Sequence, residues 1–372
     1  MTSRISAELA HLARLARDGG LDLSQVSLRV KADLLMSAPR PSPDDLAAFG
    51  DMAAALIPGI DEATALILAR KLAGWRHAPP AALQALRARG GDVFVTLLEH
   101  GLPLPAQEIE TIAERGSAKA ALALAARADL DATAVALLIA RRDRAIDLAI
   151  AGNPAAVFTG QVLEQLVARA REDAELAGAV LARTELPNAA LAPLFLLAGA
   201  ERRVAILDAL ATAEAPLPPE RRPALSGETF SGWLTMAGDD PDGAFGAIAH
   251  HLGGGPALAG AMARDTSRVA AAMALMAAGT SVEEATRFLI RLGDETAHSV
   301  AGIFSLVALM RAVRPAVALR LAMAIAGTPL PAARRGRHQP AMAPGGTPAR
   351  PAPQQPTLAE IVNRLGQRRE QG

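Results

Sequence analysis

Seven histidines, a glycine run, an acidic turn and an arginine cluster are the residues whose types and spacing could do chemistry. His11, His77, His100, His250, His251, His298 and His338 include no pair at the four-residue helical spacing of a zinc site, and none lies in a carboxylate-rich cluster. His250 and His251 adjoin each other, and neighbours on a helix point about 100° apart, so they do not share one ion. One half-buried and one solvated ring is the expected arrangement. "LGGGPALAG", Leu252 to Gly260, has no strand before it and no Lys-Ser or Lys-Thr after it, so it does not read as a phosphate loop. Gly253 to Gly255 end one helix and Pro256 begins the next. Asp239, Asp240 and Asp242 in "GDDPDG" lack the twelve-residue calcium pattern and its closing Glu; Asp240 or Asp242 reads as a helix cap. No metal, no cofactor and no catalytic residue is expected, and the chain reads as a non-enzyme.

Arg141, Arg142 and Arg144, with Arg202 and Arg203 further on, could form a basic ridge on neighbouring hairpins, facing an acidic partner or phosphates. No aromatic residues are interleaved for base stacking, and Asp143, Asp147, Glu201 and Asp208 offset the field. A protein partner is the first expectation. Nucleic-acid or ribonucleoprotein binding through an Arg-lined groove is the alternative.

These residues need helices to position them. The chain has 372 residues, is 51% hydrophobic but only 3% aromatic, and has no Tyr. About a quarter of it is alanine, far above ordinary usage. Alanine is the best helix former and has little volume, so the composition favours closely packed helices. The absence of cysteine excludes disulfides, thiol nucleophiles and thiolate metal sites. The first twenty residues alternate charge with apolar residues and do not read as a secretory signal. "SVAGIFSLVALM" is too short to span a membrane, which takes about 20 apolar residues. A cytoplasmic protein with no membrane contact is expected.

Strand patterns are nearly absent, and helix grammar runs throughout. In "SPDDLAAFGDMAAALIPG", Ser42 caps, Pro43 suits the first helical position, Asp44 and Asp45 favour the positive helix start, and Pro58 stops the run. Asp61 and Gly74 bracket the next helix. Ser281 with Glu284 forms a capping box. Ile303, Phe304, Leu306, Val307 and Met310 make a broad apolar face, which predicts a helix at the centre of the second half.

Sliding the chain by 56 residues lays Ser117–Ile150 onto Asp173–Ile206 without a gap. Arg127 meets Arg183, Leu130 meets Leu186, Leu138 meets Leu194 and Ile150 meets Ile206. Four short helices in that shift imply two stacked hairpins of about 28 residues each. "HAPPAALQALRARGGDVFVTLLEHGLPLPAQEI" and the turns "AARADLD", "AGNPAA" and "LARTELP" resemble an uncharacterised bacterial family of HEAT-like helical-repeat proteins, a domain of unknown function. The resemblance covers Leu68 to Gly327 and is strongest from Pro79 to Leu210. It implies an all-helical, HEAT-like fold and carries no functional residues to transfer.

The organisation expected is all-α: N-terminal helices over 1–67, a helical-repeat region over 68–213 and a second helical half over 214–327. A disordered linker over 328–356 and a short amphipathic helix over 357–372 follow. That helix carries Leu358, Ile361, Val362 and Leu365 on one stripe, the pattern of a peptide that docks on another protein or folds back onto the body as a last helix. The whole reads as a HEAT-like α-solenoid acting as a protein-interaction scaffold or adaptor.

Overall fold

A computed structural model describes residues 23–216, 225–293 and 300–330. The chain divides after Leu330 into two units, and the second, Pro331–Gly372, lies outside the described residues. So do the expected amphipathic helix and all but the first three residues of the expected linker. Every regular element among the described residues is helical, and none is a strand.

The first helices are α1 (Leu23–Ser37), α2 (Pro43–Leu56), α3 (Glu62–Ala73), α4 (Pro80–Arg89) and α5 (Gly91–His100). Then come α6 (Ala106–Arg115), α7 (Ala118–Ala125), α8 (Ala132–Ala140), α9 (Arg144–Gly152), α10 (Gly160–Ala170) and α11 (Ala174–Ala182). A 3₁₀ segment, Asn188–Leu197, leads into α12 (Ala200–Glu214). The remainder comprises α13 (Gly227–Asp239), α14 (Pro241–Leu252), α15 (Gly255–Arg264), α16 (Val269–Ala278), α17 (Val282–Arg291), α18 (Val300–Ala312) and α19 (Pro315–Ala326).

Short polar side chains set the boundaries. Ser42, Asp61, Ser117, Asp131, Asp173 and Asp240 each accept a backbone N–H in the first turn of the helix that follows. Ser281 and Glu284 form the full reciprocal capping box. Helices as short as the eight residues of α7 are not stable alone in water, so packing must hold them.

That packing alternates. Pairs α6–α7, α8–α9 and α10–α11 each pack together. Odd-numbered helices α1, α3, α5, α7, α9 and α11 also pack each on the next of the set, and α6, α8, α10 and the 3₁₀ segment form a second file. The two copies, offset by 56 residues, therefore correspond: α7 to α11, α8 to the 3₁₀ segment, and α9 to α12. The difference lies in the middle pair. Pro193 falls inside the second copy, where it removes a backbone donor and clashes with a preceding carbonyl, and the tighter 3₁₀ winding replaces the α-helix.

Two apolar cores result. The smaller gathers residues from Leu28 to Leu97, and the larger runs from Leu98 to Ala326. At the centre of the larger lies α16, all ten of whose residues are buried. It packs on α14, α15, α17, α18 and α19. This corrects the expectation for α18. Only Leu306 and Met310 of its apolar face are buried, while Phe304 is 69% exposed. Six alanines let α16 be surrounded closely on every side, which a helix of larger side chains does not allow.

The last described helix, α19, ties the halves together. It packs on α12, α15, α16 and the 3₁₀ segment. Arg171 donates across to the Ile325 carbonyl at 2.7 Å. Gly327 ends α19 in the left-handed conformation at φ +67°, and the Arg171 guanidinium occupies the space a β-carbon would need.

Candidate interaction groove

The seam between α12 and α18 is open. α12 packs on the 3₁₀ segment and α19, whereas α18 packs on α16 and α17. Between them lies a groove of about 650 Å³. One wall is Arg203, Val204 and Leu207 of α12. The other is Gly302, Ser305, Leu306 and Leu309 of α18. Phe195, Ser267 and Val269 complete the lining, with Ala200 at the start of α12.

Local bonds fix this lining. Asp265, itself buried, accepts from Ser267 N at 2.9 Å, Ser267 Oγ at 2.5 Å and Ala270 N at 2.7 Å, so it caps α16 and holds Ser267 and Val269 in place. Arg203 Nε donates to the Phe195 carbonyl at 3.1 Å and Nη2 to the Leu196 carbonyl at 2.8 Å, while its guanidinium stands 5.5 Å from the Phe195 ring centre. Nη1 has no protein acceptor among the described residues. Among the described residues the groove thus presents apolar walls and one cation with a spare donor, and no acidic side chain lines it.

Exposed apolar surface continues beside it. Val204 in the lining is 59% exposed, and Leu197, next in the chain to the Leu196 carbonyl that Arg203 holds, is 48% exposed.

The arginines weighed as a ridge against a solvated face are placed as follows. Arg141 donates to the carbonyls of Ala113 at 3.1 Å and Gly116 at 2.7 Å, closing the C-terminal end of α6. Arg144 pairs with Asp173 at 2.5 Å and Glu175 at 2.7 Å. Arg202 donates to the Arg183 carbonyl at 2.5 Å, and Arg203 lines the groove. Arg142 is exposed, in the left-handed conformation at φ +56°. Leu358, Ile361, Val362 and Leu365 lie outside the described residues. His250 and His251 are both exposed, rather than one being half-buried, and the His251 ring meets Trp233 edge-on at 5.3 Å. Among the described residues no three His, Asp or Glu side chains come together to hold a metal, and no helix is long and apolar enough to cross a membrane.

Sequence reading missed two features. The groove joins residues roughly a hundred positions apart, which no local pattern reveals. A set of arginines that close helix ends was also missed, though a signal was present. Arg127 and Arg183 coincide in the two copies, and each is followed two positions later by an acid, Asp129 or Glu185.

Residues 93–339 match the model of a family described as an uncharacterised protein conserved in bacteria (DUF2336). The match opens within α5, where the larger core also begins. No curated protein and no solved structure matches the chain.

Proposed function

The chain belongs to that uncharacterised bacterial family, and we propose that it is a non-enzymatic protein-interaction scaffold: a helical-repeat solenoid that grips a partner protein in the groove between α12 and α18. The observation that carries this reading is the lining itself, apolar on both walls, with Val204 exposed within it and Leu197 exposed nearby. Burying such surface is the main source of affinity between proteins. The ionisable groups favour it too. Guanidinium groups of Arg141, Arg144, Arg202 and Arg203 are engaged with carbonyls or carboxylates of the body, which favours a protein partner over a phosphate backbone.

In-cell photocrosslinking tests the proposal. A photoreactive residue at Val204 of the full chain in a bacterial host that encodes it should yield a discrete crosslinked partner. The same residue at exposed Thr133 or Glu164, on α8 and α10, should not. The same products from all three positions would overturn the groove as the binding surface.

A further inference from the structure

Resting on the groove reading above, we infer that the occupant is a single amphipathic helix of the partner, with an aliphatic face and one carboxylate side chain that meets Arg203. Both walls are helices. On α18 the groove-facing residues Gly302, Ser305, Leu306 and Leu309 fall at i, i+3, i+4 and i+7, the stripe one helix offers another. Gly302 and Ser305 are small, so an opposing backbone approaches closely there. Elsewhere in this body such stripes are covered by further helices, as α16 is by five neighbours. Among the described residues α12 and α18 find their partners on other sides, and no helix covers this stripe.

Charge selects the chemistry of the face. Among the described residues the lining holds one cation and no acid, and Arg203 Nη1 has no acceptor. A carboxylate satisfies that donor through a charge-assisted bond, whereas a lysine or arginine would be repelled. Relief separates a helix from a lipid-like acid: the spaced side chains of a helix interdigitate with the stripe on α18, whereas a single acyl chain has none to offer.

A displayed library of bacterial protein fragments, selected on the full chain, tests this. The enriched fragments should share aliphatic residues at helical spacing with an acidic residue on the same face. Synthetic versions should become helical on binding. Changing their acid to the amide should weaken binding about tenfold. Val204→Arg and Ala200→Arg, both at exposed positions and checked for unchanged thermal unfolding, should weaken it about thirtyfold. Fragments that need Val204 but bind extended, or without an acid, overturn the helix and leave the groove standing. Fragments indifferent to Val204→Arg overturn the groove itself. Failure to enrich any fragment, or saturable dodecanoate binding that displaces the enriched ones, also overturns the proposal, the latter in favour of an amphiphile site.

Discussion

Arg127 and Arg183 stand 56 positions apart and make the same bonds. Arg127 donates to the carbonyls of Leu98, Gly101 and Leu102, where the chain leaves α5. Arg183 donates to those of Ile150, Asn153 and Ala156, where it leaves α9. Each is oriented by an acid two residues on: Asp129 at 2.7 Å and Glu185 at 2.5 Å. Carbonyls at a helix end lack intrahelical partners, and a guanidinium is shaped to serve several at once. Arg89 treats Ile57, Pro58 and Ile60 the same way, so the device extends into the smaller core.

Arg183→Ala should therefore cost about 2–4 kcal/mol, since it leaves several carbonyls without donors in a nearly closed setting. Arg183→Lys should recover less than half, because an ammonium cannot reach three carbonyls in the fixed fork of Arg. Urea unfolding of the full chain measures both. Equal stability of the Lys variant and wild type would show that charge alone suffices.

How far the fold could be read from sequence follows from what each feature depends on. Caps such as Ser42, Asp61, Asp173 and Ser281 act within four residues of themselves, so they were legible. The repeat was legible as a shift because Leu130 and Leu186, or Ile150 and Ile206, hold equivalent buried positions. The role of Arg141 was not. Its acceptors lie 25 and 28 residues away, and an arginine beside Arg142 and Arg144 looks like surface charge until the hairpins are stacked. α18 misled for a related reason: its apolar residues outnumber those the body covers, and Phe304 is left outside.

Asn153 should be intolerant of an isosteric charge. Buried, it donates from Nδ2 to the carbonyls of Ala125 at 2.9 Å and Arg127 at 2.7 Å, one hairpin back, and its Oδ1 accepts from Ala155 N at 2.9 Å. Asn153→Ala should cost about 1–3 kcal/mol for the unsatisfied groups. Asn153→Asp should cost more, because it sets a carboxylate against two carbonyl oxygens. Thermal unfolding at neutral pH ranks the two, and a milder Asp variant would contradict the assigned orientation of the amide.

Two carboxylates should respond to pH in opposite directions. Asp129 is held below its ordinary value near 3.8, chiefly by the Arg127 hydrogen bond. Its stabilisation is present above that value and is lost as pH falls through the folded pKa. Asp147 is raised above 3.8, chiefly by burial, with Arg169 opposing the shift. Its folded form binds the proton more tightly than the unfolded chain, so its contribution is greatest in acid and declines as pH rises from 3.8 through the folded pKa. The penalty of Asp129→Asn should therefore shrink on acidification, while that of Asp147→Asn grows. Urea midpoints taken through the acid range, with the Asp129 change below 3.8 and the Asp147 change above it, read both slopes, and parallel profiles would contradict the assignment.

Phe304 and Leu306 sit two residues apart on α18 with opposite fates. Leu306 is 4% exposed and faces the larger core and the groove. Phe304 is 69% exposed. Apolar burial stabilises by about 25 cal/mol per Å², so a ring left in water contributes little to folding. Leu306→Ala should cost about 2–4 kcal/mol through lost contacts and the cavity left behind. Phe304→Ser should change stability by less than about 0.5 kcal/mol. If the groove takes a helix, Val204→Ser, on the opposite wall and 59% exposed, should weaken binding severalfold while folding is unchanged. That separation distinguishes a residue kept for a partner from one kept for the fold. A large loss of stability from Phe304→Ser would instead mean that the ring is covered within the protein itself.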